Sequence, residues 1–314
     1  MKKYLCITFL FCPTITSTQF FSWKHHDFDT AMKLTHQIKE KTTPITKSIV
    51  GIEQDNLYSF FKDRYNNINP TIIEPDSTPR IPKIMHQIWL GSKVPESLEY
   101  FMNSWTKIHK GPEWQYILWT DEKIEKLGLY NQEFYDQTTN YGMKSDIARL
   151  EIIYRFGGVY LDTDMEALAP LDLLHHTYDF YIGLQPIDSG FIQVGIGILG
   201  ARPYHPVIQK AITHIKNNWN TLKGAPQKTG PVHVTRMIYL FSKDEKESGL
   251  RDIILPALYF YPLGSQENAI EYEKWKEQGS LSVHWWAKSW MPKNYRKKKF
   301  QTIENDASTK SWND

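Results

Sequence analysis

The feature that most constrains the fold is an alternation. Short apolar runs of strand length trade places with longer stretches of helical spacing from about residue 83 to residue 219. "KIMHQIWL" (Lys83–Leu90), "EWQYILWT" (Glu113–Thr120), "GGVYLDTD", "YDFYIGLQ" and "GIGILGA" read as five strands. Between them, "PESLEYFMNSWTKIH" repeats Leu98, Phe101, Met102 and Trp105 at helical intervals, "NQEFYDQTT" reads as a helix, and "KSDIARLEIIYRF" carries a stripe of Ile147, Leu150 and Tyr154. "HPVIQKAITHIKNNW" reads as a further helix. Strands alternating with helices predict an α/β fold with a largely parallel sheet, whose ligands bind beyond the carboxyl ends of the strands.

At such an end stand two aspartates one residue apart, Asp162 and Asp164, directly behind Val159, Tyr160 and Leu161. Two like charges this close repel unless water or a cation offsets them. Four readings compete. Two surface acids in a turn is the plainest. An EF-hand fails, because Ala167 and Leu173 stand where its Gly and Glu belong. A glycosidase pair flanks its bond from two sides, whereas residues i and i+2 of a strand share one face. A divalent cation held by carboxylates and shared with a diphosphate suits the spacing, since Mg²⁺ and Mn²⁺ take one or two carboxylates and keep positions for phosphate oxygens.

Composition excludes little. At 314 residues, with 41% hydrophobic and 23% charged, the chain can bury a sizeable core, and a formal charge of +2 gives no reason to expect nucleic acid. Eleven Trp and eighteen Tyr would suit a core or surfaces that stack on sugar faces. The two cysteines, Cys6 and Cys12, leave no disulfide framework or zinc spacing in the main body. With Lys2, Lys3 and the apolar run Tyr4–Cys12, residues 1–19 resemble a signal peptide or short anchor, a buried N-terminal strand being the other reading, with export or membrane association as the expected location and a cytoplasmic chain as the alternative. Residues 20–79 read as a helical extension, with "NLYSFFKDRY" as an amphipathic helix, followed by a linker carrying Pro70, Pro75, Pro79 and Pro82. The main domain spans 80–292. A polar tail, 293–314, has a basic cluster at Arg296 to Lys299, which suits a solvated end or peripheral contact with anionic lipid.

The order of "IPKIMHQIWLG", "YILWT", "MKSDIARLEIIYRFGGVYLDTD" and "VHWWAKSW" resembles the DXD-containing sugar transferases of glycosyltransferase family 32, a group that includes yeast-type α-mannosyltransferases and bacterial capsule enzymes. The likeness runs from about Arg80 to Trp290. It implies a GT-A fold: a Rossmann-like nucleotide-binding domain with a mixed, mostly parallel sheet flanked by helices. It implies Mn²⁺ or Mg²⁺, a UDP- or GDP-hexose donor, retention of anomeric configuration, and a carbohydrate, lipid or protein acceptor. By the same likeness Asp164 coordinates the metal, Asp162 contacts ribose and metal, and His284 is a late metal ligand. Gln87, Ile88 and Trp89 border the nucleobase, largely through backbone. Ser145, Asp146 and Arg149 form an S-D-x-x-R element, in which Asp146 accepts from donor-sugar hydroxyls and Arg149 orients Asp146 or approaches phosphate. Tyr160, Ser289 and Trp290 complete the donor contacts, with Trp286 and Trp290 closing over the donor.

The residues alone leave other readings open. Asp146 and Arg149 could form a surface ion pair worth under about 1 kcal/mol. Gly157 and Gly158 would admit close approach of backbone to ligand, although a helix C-cap explains one of them. Gln193 stands where the family pattern suggests Asn, and Thr229 and Gly230 of "KTGPVHV" could be a plain helix start. A binding protein without turnover on the same scaffold is the rival function, against which stands the completeness of the motifs.

Overall fold

The computed structural model describes residues 23–33, 48–49, 51–187, 192–243, 245–265 and 271–287. The leader-like segment 1–19, the tail 293–314, Ser289 and Trp290 lie outside the described residues. The strands are β1 (Ser48–Ile49), β2 (Ile52–Glu53), β3 (Ile84–Ile88), β4 (Gln115–Trp119), β5 (Gly158–Leu161), β6 (Met165–Ala167), β7 (Phe180–Leu184), β8 (Val194–Ala201), β9 (Asp252–Leu255) and β10 (Ser282–His284).

Six of them form one sheet in the order β4-β3-β5-β8-β7-β9. β3 runs parallel to β4 and to β5, and β7 parallel to β9. β8 runs antiparallel to both of its neighbours. The link from Leu184 to Val194 is too short for the crossover that a parallel β7–β8 pair would need. The sheet is therefore mixed. Every residue of β5, β7, β8 and β9 is buried, which is why these segments read as apolar runs without alternation. β4 lies at an edge and keeps its outer residues exposed.

The helices Glu96–Ile108, Tyr141–Phe156 and Pro206–Trp219 occupy the stretches between strands that helical spacing predicted. The second is capped by Asn140, whose Oδ1 accepts from Met143 N–H at 3.1 Å, satisfying one orphan donor of the first turn. It ends at Gly157 (φ 64°), and Gly158 (φ 91°) opens β5. A Cβ at Gly157 would lie 2.6 Å from Pro203 Cδ, and one at Gly158 2.4 Å from the Ile84 carbonyl. Both glycines sit at the opposite end of β5 from Asp162. What approaches them is neighbouring chain, so the expected approach to a ligand is corrected to a helix stop and a tight β3–β5 contact.

Phe28, Ala31 and Met32 of the helix Phe28–Lys33, and Leu57, Phe61 and Tyr65 of the helix Gln54–Ile68, join the same hydrophobic cluster as the main sheet. The proline-rich stretch that follows is irregular and clamped: Arg80 pairs with Asp76 at 2.7 Å and with buried Asp179 at 2.6 Å.

A second, two-stranded sheet pairs β6 with β10 antiparallel, setting His284 opposite Met165. The sequence reading contained neither β6 nor β9. β6 matters for the site, because it carries the chain from Asp164 straight into contact with a strand more than a hundred residues later.

Candidate active site

Asp162 and Asp164 flank the turn between β5 and β6, and β10 brings His284 alongside. One ligand atom from each of Asp162, Asp164 and His284 lies within 4.8 Å of the others. His284 Nε2 is 3.2 Å from Asp164 Oδ1 and 4.0 Å from Asp162 Oδ2. Ala287 N–H donates to Asp164 Oδ2 at 2.7 Å, and Trp285 N–H to the Asp164 carbonyl at 3.0 Å. Burial alone would raise the Asp164 pKa, but His284 and the Ala287 N–H outweigh it and hold the carboxyl below its ordinary range. Burial pulls the His284 imidazole down, and Asp164 with Asp162 more than reverses this, so its pKa rises. The pocket thus favours a positive charge. His284 Nδ1 is buried with no hydrogen-bond partner. An acid pair and a converging imidazole whose Nε2 faces both carboxylates fit a divalent cation in chemistry.

Arg149 lies behind this group, 5% exposed. Its Nη2 reaches Asp146 Oδ1 at 3.2 Å and its Nη1 reaches Asp162 Oδ1 at 3.1 Å. It also donates to the Ile196 carbonyl at 2.7 Å and the Ser145 carbonyl at 3.2 Å, and its guanidinium lies 4.3 Å from the Tyr160 ring centroid. The surface ion pair is therefore excluded: one buried cation bridges two carboxylates. Burial pushes Asp146 up to about 6 against the pull of Arg149 and of a hydrogen bond from Thr229. Tyr160, fully enclosed, donates its hydroxyl to Asp162 Oδ1 at 2.6 Å, and burial raises its pKa well above the usual phenol value. Asp162 Oδ1 is thereby committed to the protein, while Oδ2 faces His284.

The remaining candidates divide. Gln87 is fully buried; its Nε2 donates to the Asp162 carbonyl at 3.3 Å and its Oε1 accepts from Tyr116 at 2.9 Å. Ile88 belongs to the core. Trp89 continues from β3, half-buried, with its backbone N–H on the Trp119 carbonyl and its indole on Ser92 Oγ at 3.3 Å. Ser145 is half-buried one residue before Asp146. Gln193 is tied to Gln185 at 2.8 Å. Trp286 packs on His284 with ring centroids 4.2 Å apart, its indole N–H on the Leu263 carbonyl at 2.8 Å.

Thr229, left open by the sequence, donates Oγ1 to Asp146 Oδ2 at 2.9 Å and is fully buried. A Cβ at Gly230 would lie 3.2 Å from the same oxygen. The T-G pair was the available signal. Tyr261 and Gly197 also border Asp162, and no local pattern marks them.

With this geometry stand the comparisons. Residues 95–181 match a family model described as "Glycosyltransferase sugar-binding region containing DXD motif". That span includes Asp146, Arg149, Asp162 and Asp164. Inositol phosphoceramide mannosyltransferase 1 of Schizosaccharomyces pombe is 33% identical over 148 residues, 45% of this chain and 44% of that protein. Alpha-1,4-N-acetylglucosaminyltransferase of Homo sapiens is 28% identical over 176 residues, 54% of this chain and 48% of that one. The chain spans about half the length of the curated relatives it matches. Among solved structures, PaToxG glycosyltransferase aligns over 59% of this chain and 76% of its own at 18% identity, with a TM-score of 0.43. The α/β architecture, a mixed sheet with three parallel and two antiparallel pairings flanked by helices, is of the class the sequence led one to expect.

Proposed function

We propose that this chain, which carries the DXD-containing sugar-binding region of glycosyltransferases across residues 95–181, is a metal-dependent, retaining glycosyltransferase. It moves a hexose from a UDP- or GDP-linked donor to a glycan, glycolipid or protein acceptor. The observation that carries the reading is the convergence of Asp162, Asp164 and His284 beside an Arg149-bridged pair of carboxylates. The named activities of the relatives differ in sugar, mannosyl in one and N-acetylglucosaminyl in another, so hexosyl transfer is the level they support.

Asp162, Asp164 and His284 would hold Mn²⁺ or Mg²⁺, which when bound supplies positive charge against the diphosphate leaving group. Arg149 fixes Asp146 and Asp162 relative to each other, so neither must reorganise as donor binds. Asp146 takes one oxygen to Arg149 and the other to Thr229, and those oxygens keep acceptor capacity for sugar hydroxyls beyond these two bonds. Thr229 holds the rotamer from the other side. Trp286, packed on His284, helps exclude water from that edge of the site, which limits donor hydrolysis.

The test is a screen of UDP- and GDP-sugars for nucleoside diphosphate release, with and without Mn²⁺, using the wild type and Asp164→Asn. Release from one donor class that needs the cation and is lost at least 100-fold in a folded Asp164→Asn variant supports the reading. Cation-independent release, or none from any donor with a competent acceptor, refutes it.

A further inference from the structure

Asp162 is aimed by a part of the chain far from its own motif. In the β7–β8 ladder Ile182 pairs with Leu199, but the next residue, Gly183, pairs with Gly195. Ile196, Gly197 and Ile198 therefore stand out of that ladder as a bulge, the kind of irregularity that re-aims groups beside active sites. Instead of pairing with β7, these residues meet the site and the end of β5. The Ile196 carbonyl accepts from Arg149 at 2.7 Å, the Gly197 carbonyl accepts from Asp162 N–H at 2.7 Å, and Ile198 N–H donates to the Tyr261 hydroxyl at 3.2 Å.

The side-chain contacts are as specific. A Cβ at Gly197 would lie 2.9 Å from Asp162 Oδ2 and 3.5 Å from the Tyr261 hydroxyl oxygen; one at Gly195 would lie 2.4 Å from the Tyr261 ring. Gly197 is not among the residues with positive φ, so an L-residue could adopt its backbone. The position asks for empty space, not for conformational freedom. Nor can Asp162 swing aside at no cost, because Tyr160 and Arg149 hold its Oδ1 at 2.6 and 3.1 Å. Tyr261 is fully buried and touches the other half of the site too: its ring stands at 69° to His284, centroids 5.8 Å apart. Glycine inside a buried strand weakens it, and here the close approach of a carboxylate and a phenol accounts for two such glycines.

We propose that Gly197 and Tyr261 are positioning residues for Asp162. The bulge and the phenol together fix Oδ2 toward His284. This rests on the reading that Asp162 belongs to a cation and donor site.

The experiment uses the full chain without donor. Mn²⁺ binding in the presence of UDP or GDP is measured by electron paramagnetic resonance for wild type, Gly197→Ala, Tyr261→Phe, Asp162→Asn and the two doubles with Asp162→Asn; thermal unfolding without metal is recorded for each. Gly197→Ala is expected to unfold within a few degrees of wild type and to bind Mn²⁺ at least tenfold more weakly. That loss should vanish on the Asp162→Asn background, because the two changes act on one group. Wild-type affinity in Gly197→Ala, or a loss that adds in full to that of Asp162→Asn, overturns the inference. Should Gly197→Ala fail to fold, Tyr261→Phe and its double decide by the same non-additivity. A wild type that takes up no Mn²⁺ with either nucleotide overturns instead the cation reading on which the inference stands, and the inference with it.

Discussion

Replacing Arg149 by Met keeps most of the side-chain length and removes only the charge and its donors. Two carboxylates and two carbonyls lose a partner at once. Breaking a buried ion pair from one side costs about 3–5 kcal/mol, against under about 1 for an exposed pair. Asp146 has a way out, since it can take up a proton. Its folded pKa of about 6 is raised above the unfolded 3.8, so its contribution to stability is fully present below 3.8 and is lost as pH rises through 6. At pH 7 most of that loss is already present in the wild type. Losing Arg149 adds at most about 1.4 kcal/mol for Asp146 there, the roughly one unit that remains to pH 7. Asp162 and the Ile196 carbonyl carry the rest, so about 3–4 kcal/mol is expected in all. Urea unfolding followed by tryptophan fluorescence measures it. The difference from wild type should shrink by up to about 2 kcal/mol between pH 7.5 and 5.5, where Asp146 is mostly protonated in both proteins. Arg149→Lys should recover part of the loss, because an ammonium cannot reach both carboxylates as the guanidinium does. A Met variant within about 1 kcal/mol of wild type would refute the buried bridge.

Three further outcomes are expected. His284→Ala should raise the Mn²⁺ concentration needed for half-maximal transfer by on the order of tenfold or more at saturating donor; superimposable titrations would remove His284 from the cation site. On the proposed role of Asp146 in holding the donor sugar, Asp146→Ala should cut turnover far more than calorimetric affinity for free UDP or GDP, which carry no sugar to be held; equal losses would reduce Asp146 to a structural partner of Arg149. The fold should also be acid-labile. Burial lowers His86 and His233 to about 4 and His175 to about 3, so each is neutral when folded and gains a proton on unfolding below about 6.5. The contribution of these three histidines is then complete above 6.5, and stability falls toward pH 4 by on the order of 2–3 kcal/mol per pH unit after the opposing trend of Asp146. A melting temperature unchanged between pH 7.5 and 5 would contradict this.

What could be read in the sequence was set by neighbours along the chain. The stripe Ile147, Leu150, Tyr154 gives the helix, the double glycine ends it, and Val159–Leu161 give the strand that presents Asp162. Strand direction could not be read so. β8 has the same apolar composition as β5 and β7, to which it runs antiparallel, and only the short link after Leu184 turns it around. The D-x-D and S-D-x-x-R elements stand close in sequence, yet whether Arg149 lies at the surface or beneath Asp162 depends on the burial of β8 on its far side. The contacts that could not be read have partners far away: Thr229 meets Asp146 across 83 residues, His284 meets Asp164 across 120, and Tyr261 meets Ile198 across 63. Gly197 is the sharpest case. In "GIGILG" it looks like weak strand composition, because the atom that forbids a side chain there belongs to Asp162. The helix Tyr141–Phe156 brings Arg149 to that carboxylate, the bulge brings Gly197 beneath it, and β10 brings His284 before it. A site assembled this way depends on β8 as directly as on its own motif.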